Sequence, residues 1–228
     1  MYNSDIIEDT TPVESGEFQN SPVLTITGAH TVHDGYQGFL SPLLPLIIEK
    51  LVLTKTQAGF LSSFTLLPSL IQPILGYIAD RKDMRWAVVL APAVTGAMFS
   101  MIGIAPTYTF LAVILLVAGF SSAFFHAVAP VMAGALSGVR LGRGMSFWMV
   151  GGEIGRTVAP ILAVAAVGAL TLSGLPLVMV FGFLTSIVLY FRLRTVEYKP
   201  SNHGQAVNIP QVFRRMLPVL LPVMFILV

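Results

Sequence analysis

The sequence predicts an all-α membrane protein with six transmembrane helices, on the evidence of its composition, its long apolar runs and the placement of its basic residues. Of 228 residues, 55% are hydrophobic and 11% are charged, whereas soluble domains carry about 25% charged residues. A bilayer-spanning helix needs about 20 consecutive apolar residues. Six runs meet this need: Leu24–Ile48, Gln57–Ala79, Trp86–Ala105, Tyr108–Ala133, Gly144–Leu170 and Gly174–Leu193.

The segments outside these runs predict how the chain is organised around a helical bundle of residues 23–193. Residues 1–22 contain acidic but no basic residues, unlike a signal peptide, and predict a disordered cytosolic tail. Residues 194–215 are polar and contain Pro200 and Gly204, which is typical of a cytosolic linker. Residues 216–228 are apolar but too short for a span. We therefore expect a truncated seventh helix here, with a second half of six helices following in the intact protein.

The positions of the basic residues predict the orientation, because short cytoplasmic loops collect Lys and Arg. The opposite side has only Lys50 and Lys55 after the first run, and no charge near Pro106 or Ser173. This asymmetry predicts a multi-pass protein of the plasma (inner) membrane with a cytosolic N-terminus. The basic residues on the predicted cytosolic side are Arg81, Lys82, Arg85, Arg140, Arg143, Arg192, Arg194, Lys199, Arg214 and Arg215.

Ionisable side chains inside the predicted spans mark the candidate site. A charge at the bilayer centre costs at least about 2.5 kcal/mol, so such residues usually face a partner or a watery cavity. One face of the first span is polar, with residues at the spacing i, i+3, i+4 and i+7: His30, His33, Asp34 and Gln37. The later spans add three more ionisable residues: His126, Glu153 and Arg156. At a rise of about 1.5 Å per residue, Asp34, Glu153 and Arg156 all lie near the middle of the membrane.

These residues suggest a division of roles. A buried carboxylate without a positive partner favours its protonated form, so Asp34 and Glu153 are the candidates for carrying protons. Arg156 would hold one of these carboxylates or an anionic group of a substrate. The remaining candidates for binding a substrate are His30, His33, Gln37 and His126. Two simpler readings stay open, since the histidines could only bond to neighbouring helices and Glu153 could only pair with Arg156.

The segment from Gly76 to Arg85 resembles the loop signature between the second and third helices of the major facilitator superfamily. Four positions match that signature: Gly76, Asp80, Arg81 and Arg85. Asp83 stands in place of its second glycine. The resemblance implies a twelve-helix transporter built from three-helix repeats, of which this chain is the N-terminal half. It also implies that the matching residues form a conformational latch, with the helix-end glycine permitting close packing.

Two further resemblances concern direction and substrate. The segment 151–160 is similar to a weakened form of the glycine-proline motif of antiporters, with Ala159 where glycine is expected before Pro160. Stretches along most of the chain, including His33-Asp34-Gly35 and Phe125-His126, are similar to the fosmidomycin-resistance-like branch. This branch implies proton-driven export of a small molecule or drug, although Glu153 and Arg156 stand where uncharged residues are expected.

Other functional classes have weaker support. The net charge of +2 is scattered, which argues against a nucleic-acid surface, and the chain has no cysteine for metal or redox chemistry. We expect no enzyme activity, cofactor or metal. Two alternatives remain: a membrane scaffold or sensor that transports nothing, and an intramembrane zinc enzyme. The candidate ligands of such an enzyme are His30, His33, Asp34, His126 and Glu153.

Overall fold

The described part of the molecule is helical throughout, which confirms the all-α prediction. The computed structural model describes residues 16–196 and the isolated positions Arg214 and Pro218. These residues form eight α-helices: α1 (Asn20–Gln37), α2 (Leu40–Leu51), α3 (Lys55–Leu66), α4 (Gln72–Ala79), α5 (Arg85–Ser100), α6 (Tyr108–Leu136), α7 (Leu141–Gly174) and α8 (Met179–Leu193).

The predicted domain boundaries can be compared with the helices only in part. Helix α1 begins at Asn20 and Phe18 before it is buried, so regular structure begins earlier than the predicted first span at Leu24. Residues 1–15 of the predicted tail lie outside the described residues. The predicted linker beyond residue 196 and the truncated seventh helix also lie outside them, apart from Arg214 and Pro218.

Within the described residues, four helical stretches are long and apolar enough to cross a membrane, compared with the six spans predicted. They are Lys55–Ala79, Arg85–Ile104, Tyr108–Leu136 and Gly138–Leu193. The last stretch contains both the fifth and the sixth predicted spans. The first predicted span does not qualify because it is divided between α1 and α2, and because α1 carries polar residues at its centre.

The division between α1 and α2 follows from a proline. Pro42 has no N–H to donate to the carbonyl of Gly38, and its ring crowds that carbonyl. The helix therefore turns at Gly38 and Phe39 before α2 begins. A second proline, Pro68, lies in the 3-10 segment Leu67–Ile71 that joins α3 to α4, so the second predicted span is one helical stretch with a tightened middle.

The boundary between α7 and α8 has a different cause. Thr171, near the end of α7, has φ of 62°, which is not helical and is rarely adopted by a residue other than glycine. The chain then forms the 3-10 segment Leu175–Val178 before α8. Helix α8 packs against α5, which also packs against α6. The interruption at Thr171 therefore separates α7, which packs against α1, from α8, which packs against α5.

The buried residues form two apolar cores with a polar layer between them. Phe18 and residues 23–29 of α1 contribute to the first core and residue 36 onward to the second, so the buried His30, His33 and Asp34 lie between the two. The largest buried side chains of the first core include Ile26, Phe125 and Met132. Those of the second include Leu43, Phe99 and Leu115. The polar residues of α1 are therefore held in place by packing on both sides.

Three glycines bring α7 unusually close to α1. A Cβ on Gly151 would lie 2.7 Å from the carbonyl oxygen of Thr27, and one on Gly155 would lie 2.3 Å from the carbonyl oxygen of Thr31. A Cβ on Gly152 would lie 2.5 Å from the ring of His30. Such contacts are too short for any side chain, so this glycine face is what allows the two helices to touch.

The glycine face gives a first prediction. Gly155→Ala should lower the free energy of unfolding by about 1–3 kcal/mol, because its methyl group would meet backbone that cannot move aside. Gly168→Ala on the same helix is the matched control, since no described atom lies within 4 Å of the added Cβ. Unfolding of the purified full-length protein in mixed micelles measures both. Equal losses in the two variants would show that the close crossing is not what Gly155 provides.

Candidate functional site

The carboxylate of Asp34 lies at the centre of the polar layer and is fully buried. One of its oxygens, Oδ1, receives contacts from three side chains. The Nδ1 atom of His33 lies 3.1 Å away, the Nε2 atom of Gln37 donates over 3.1 Å, and the Nε2 atom of His126 lies at 3.2 Å. His33 and Gln37 belong to α1, whereas His126 comes from α6. Two helices therefore converge on this oxygen.

The second oxygen of Asp34, Oδ2, is held from α7. Arg156 donates to it from Nε over 3.0 Å, and its Nη2 atom lies 2.9 Å away. The remaining terminal nitrogen, Nη1, donates to Glu153 over 2.9 Å. One guanidinium therefore joins two carboxylates. The sequence left open whether Arg156 holds Asp34, Glu153 or an anionic group of a substrate, because spacing cannot show that α7 turns Arg156 toward α1.

His30 is fixed by its contact with Trp148. The two rings are stacked, with centroids 3.6 Å apart, and Nδ1 of His30 donates to the Trp148 carbonyl over 2.8 Å. The other ring nitrogen, Nε2, lies 3.2 Å from Oδ2 of Asp34, but it has no hydrogen-bond partner with acceptable geometry among the described residues. A carbonyl oxygen only accepts, so the proton of neutral His30 lies on Nδ1 and its lone pair on Nε2.

The site is closed on one side and open on the other. His30, His33 and Asp34 are buried, but 55% of the Arg156 side chain and 67% of the Glu153 side chain are exposed. His126 is partly exposed, at 23%. A shallow cavity of about 350 Å³ lies over this side, lined by Met149, Val150, Glu153, Ile154, Thr157 and Val158. Among the described residues, Glu153 and Arg156 are therefore accessible, whereas the carboxylate of Asp34 is covered.

The structure brings together the site residues that the sequence predicted in the membrane spans. All seven belong to one connected set: His30, His33, Asp34, Gln37, His126, Glu153 and Arg156. Sequence reasoning missed three residues that position the histidines. Trp148 was not considered, and Thr95 and Ser121, which bond in series beside His33, have no distinctive spacing.

Three of the five candidate ligands of the alternative zinc enzyme lie close together. The ligand atoms of His30, Asp34 and His126 lie within 4.8 Å of one another. However, the guanidinium of Arg156 lies against the carboxylate that these residues would share. A fixed positive charge at this distance opposes the binding of a divalent cation.

The predicted latch residues lie around the end of α4 and the start of α5. Arg81 stacks on the Tyr77 ring, with its guanidinium carbon 3.6 Å from the ring centroid. Arg85 pairs with Asp83 at 3.3 Å and donates from Nη1 to the carbonyl of Leu193 at the end of α8. Arg85 therefore ties α5 to α8.

The other two latch residues, Gly76 and Asp80, lie in the second half and at the C-terminal end of α4. Asp80 caps α4, with its backbone N–H bonded to the carbonyl of Gly76. Close packing was expected at Gly76, but no described atom lies within 4 Å of the position of a Cβ there. The close packing expected at Gly76, which is half-buried, is therefore not made by any described residue and stays a prediction.

Comparison with known proteins identifies the family. The sequence model described as the Major Facilitator Superfamily matches residues 27–228, which is most of the chain. The chain belongs to the Major Facilitator Superfamily. Proteins of this superfamily are multi-pass membrane transporters, which agrees with the apolar helices described above. The predicted membrane location in general terms and the predicted superfamily are therefore confirmed.

Two curated relatives within the superfamily are similar to this chain. An uncharacterised MFS-type transporter of Bacillus subtilis (strain 168) is 28% identical over 145 residues, which is 62% of this chain and 35% of the relative. The fosmidomycin resistance protein of Escherichia coli (strain K12) is 29% identical over 139 residues, which is 60% of this chain and 34% of the relative. The aligned region thus spans about a third of each relative.

Proposed function

We propose that the chain contributes six transmembrane helices, arranged as two repeats of three, to a twelve-helix transporter. In this arrangement α1 with α2 forms the first span, α3 with α4 the second, and α5 to α8 the other four. The continuous stretch Gly138–Leu193 supports two spans, because its 56 residues would be about 84 Å long as one straight helix, against a hydrocarbon core of about 30 Å. The interruption at Thr171 provides the turn between them.

The proposed topology makes a direct prediction, helped by the absence of cysteine from this chain. In otherwise cysteine-free full-length protein, Thr107→Cys and Ser173→Cys should react with an impermeant maleimide added to intact cells. Lys82→Cys and Gly142→Cys should react only after permeabilisation, because they lie on the proposed cytosolic side. Reaction of Ser173→Cys only after permeabilisation would contradict two spans within Gly138–Leu193.

We further propose that the transporter exchanges protons for a small molecule that it exports. The observation that supports this proposal is the buried carboxylate of Asp34, which contacts three histidines and one arginine beside an open surface. With neutral histidines, Asp34, Glu153 and Arg156 together carry one net negative charge. Binding one proton makes the cluster neutral, and a neutral cluster is far less costly than a charged one within a membrane.

The arrangement suggests how the proton and the solute compete. Asp34 and Glu153 share Arg156, and each unprotonated carboxylate can accept hydrogen bonds from a donor group of the solute. Protonation removes the charge of that acceptor and weakens its bond to the solute, so the proton and the solute exclude each other. The residues around Asp34 supply further polar contacts: His30, His33, Gln37 and His126. Export rather than uptake is favoured by the name of the Escherichia coli relative, a resistance protein.

Flux measurements test this mechanism. Sealed vesicles that contain the full-length protein should take up protons as a transported compound leaves them. Asp34→Asn should reduce this coupled flux at least about 10²-fold, the lower range for loss of a proton-transfer group. Glu153→Gln should also reduce it, but less, because Glu153 is exposed. A coupled flux that survives in Asp34→Asn would contradict the role of Asp34. Exchange of the compound without any proton movement in the unaltered protein would contradict proton coupling itself.

A further inference from the structure

A chain of hydroxyl groups leads from the backbone of α5 to His33. Ser121 of α6 donates to the carbonyl of Ala91 over 3.3 Å, and Thr95 of α5 donates to the hydroxyl of Ser121 over 2.9 Å. The hydroxyl of Thr95 also lies 3.1 Å from Nε2 of His33. Thr95 and His33 are fully buried, so water does not replace these partners in the described structure.

The direction of these bonds follows from counting protons. The carbonyl of Ala91 has no proton, so Ser121 must donate to it, and Ser121 can then only accept from Thr95. The single hydroxyl proton of Thr95 is used in that bond. Thr95 must therefore accept from His33, which places a proton on Nε2 of the ring. The hydroxyl chain thus selects one of the two tautomers of neutral His33.

The other ring nitrogen of His33 faces the carboxylate. Its Nδ1 atom lies 3.1 Å from Oδ1 of Asp34 and 3.1 Å from Nε2 of Gln37. Two atoms that both carry lone pairs repel at this distance, so the contact with Oδ1 is stabilising only when a proton lies between them. The amide of Gln37 fits either location of that proton, because it can donate to Nδ1 or to Oδ1.

We propose that Thr95 and Ser121 are positioning residues, which keep the permanent proton of His33 on Nε2 so that Nδ1 shares the transported proton with Oδ1 of Asp34. This inference rests on the proton coupling proposed above and specifies where the proton is held. Because Nε2 is already protonated, neutral His33 has nothing to donate to Asp34. The contact between Nδ1 and Oδ1 becomes a hydrogen bond only when the pair takes one additional proton, which is what a coupling site requires.

The other ionisable groups around the pair do not replace this role. His30 of α1 uses Nδ1 on the Trp148 carbonyl, and its Nε2 atom faces Oδ2 of Asp34, to which Arg156 of α7 already donates, rather than Oδ1. Glu153 of α7 reaches the pair only through Arg156. His126 of α6 lies 3.2 Å from Oδ1 and is partly exposed, so it stands between the buried pair and the open side. Its position suits a group that passes the proton inward.

Thr95→Val tests the inference, because it removes the acceptor while preserving the shape of the side chain. Neutral His33 then becomes free to place its single proton on Nδ1 and donate to Asp34 without an additional proton. The proton-free site is thereby stabilised, so a higher proton concentration is needed to load it. We expect the pH midpoint of coupled flux to fall by about one unit, comparable to one hydrogen bond to a charged group.

Nitrogen-15 magnetic resonance of histidine-labelled full-length protein in lipid gives a readout that does not depend on transport. The His33 signals are assigned by their loss in His33→Gln. At alkaline pH, unaltered protein should show a protonated Nε2 and an unprotonated Nδ1, and Thr95→Val should show the reverse. Ser121→Ala should shift in the same direction, because the freed Thr95 hydroxyl becomes able to donate to Nε2.

Two controls separate positioning from general damage. Thr95→Ser keeps the hydroxyl and should retain the spectrum and the pH midpoint of the unaltered protein. Ser100→Ala removes another buried hydroxyl of α5, one without a hydrogen-bond partner among the described residues, and should also change neither. An unchanged His33 tautomer and an unchanged midpoint in Thr95→Val would overturn the inference. If the spectra show the expected tautomers but neither the unaltered protein nor any variant shows proton-dependent flux, the proposed proton coupling is overturned and the tautomer assignment stands.

Discussion

A carboxylate fully buried among membrane helices must be neutralised or compensated, and the contacts around Asp34 accomplish this. An isolated buried charge costs several kcal/mol or more, so a site of this kind is stable only when its partners approach closely. Arg156 supplies the compensating charge over 2.9 Å, and the surrounding side chains supply polar contacts to the other oxygen. The packing of α1 against α7 is arranged around this requirement.

The glycine face of α7 connects that requirement to the fold. Gly152 lies directly beside the His30 ring, and a Cβ there would also lie 3.1 Å from Oδ2 of Asp34. Larger residues would separate the helices, and Arg156 one turn further along would then no longer reach the carboxylate. The same helix keeps Glu153 and the outer part of Arg156 exposed. One element therefore provides both the close contact with α1 and the accessible edge of the site.

The sequence predicted more of the site than of the helix boundaries. The spacing from His30 to Gln37 defines one face of a helix in any packing, and a span of known length fixes depth, so a polar layer could be foreseen. That Arg156 pairs with Asp34 depends on the rotation of α7, which local spacing does not determine. Thr95 and Ser121 bond to a ring nitrogen and a backbone carbonyl, and such contacts leave no pattern in the sequence. The division of the first span follows from Pro42, which the sequence shows, whereas the interruption at Thr171 depends on local backbone geometry.

Arg156 stabilises the buried carboxylate of Asp34, and a double-mutant cycle measures the coupling between the two side chains. The free energy of unfolding of the full-length protein in mixed micelles would be compared for Arg156→Gln, Asp34→Asn and the double variant, with Glu153→Gln as the exposed control. We expect a coupling energy of about 1–3 kcal/mol between Arg156 and Asp34, with much of the loss in Arg156→Gln recovered when Asp34 is also neutralised. The exposed pair with Glu153 should contribute at most about 1 kcal/mol. Additive effects of Arg156→Gln and Asp34→Asn would show that the Asp34 carboxylate does not depend on the guanidinium of Arg156.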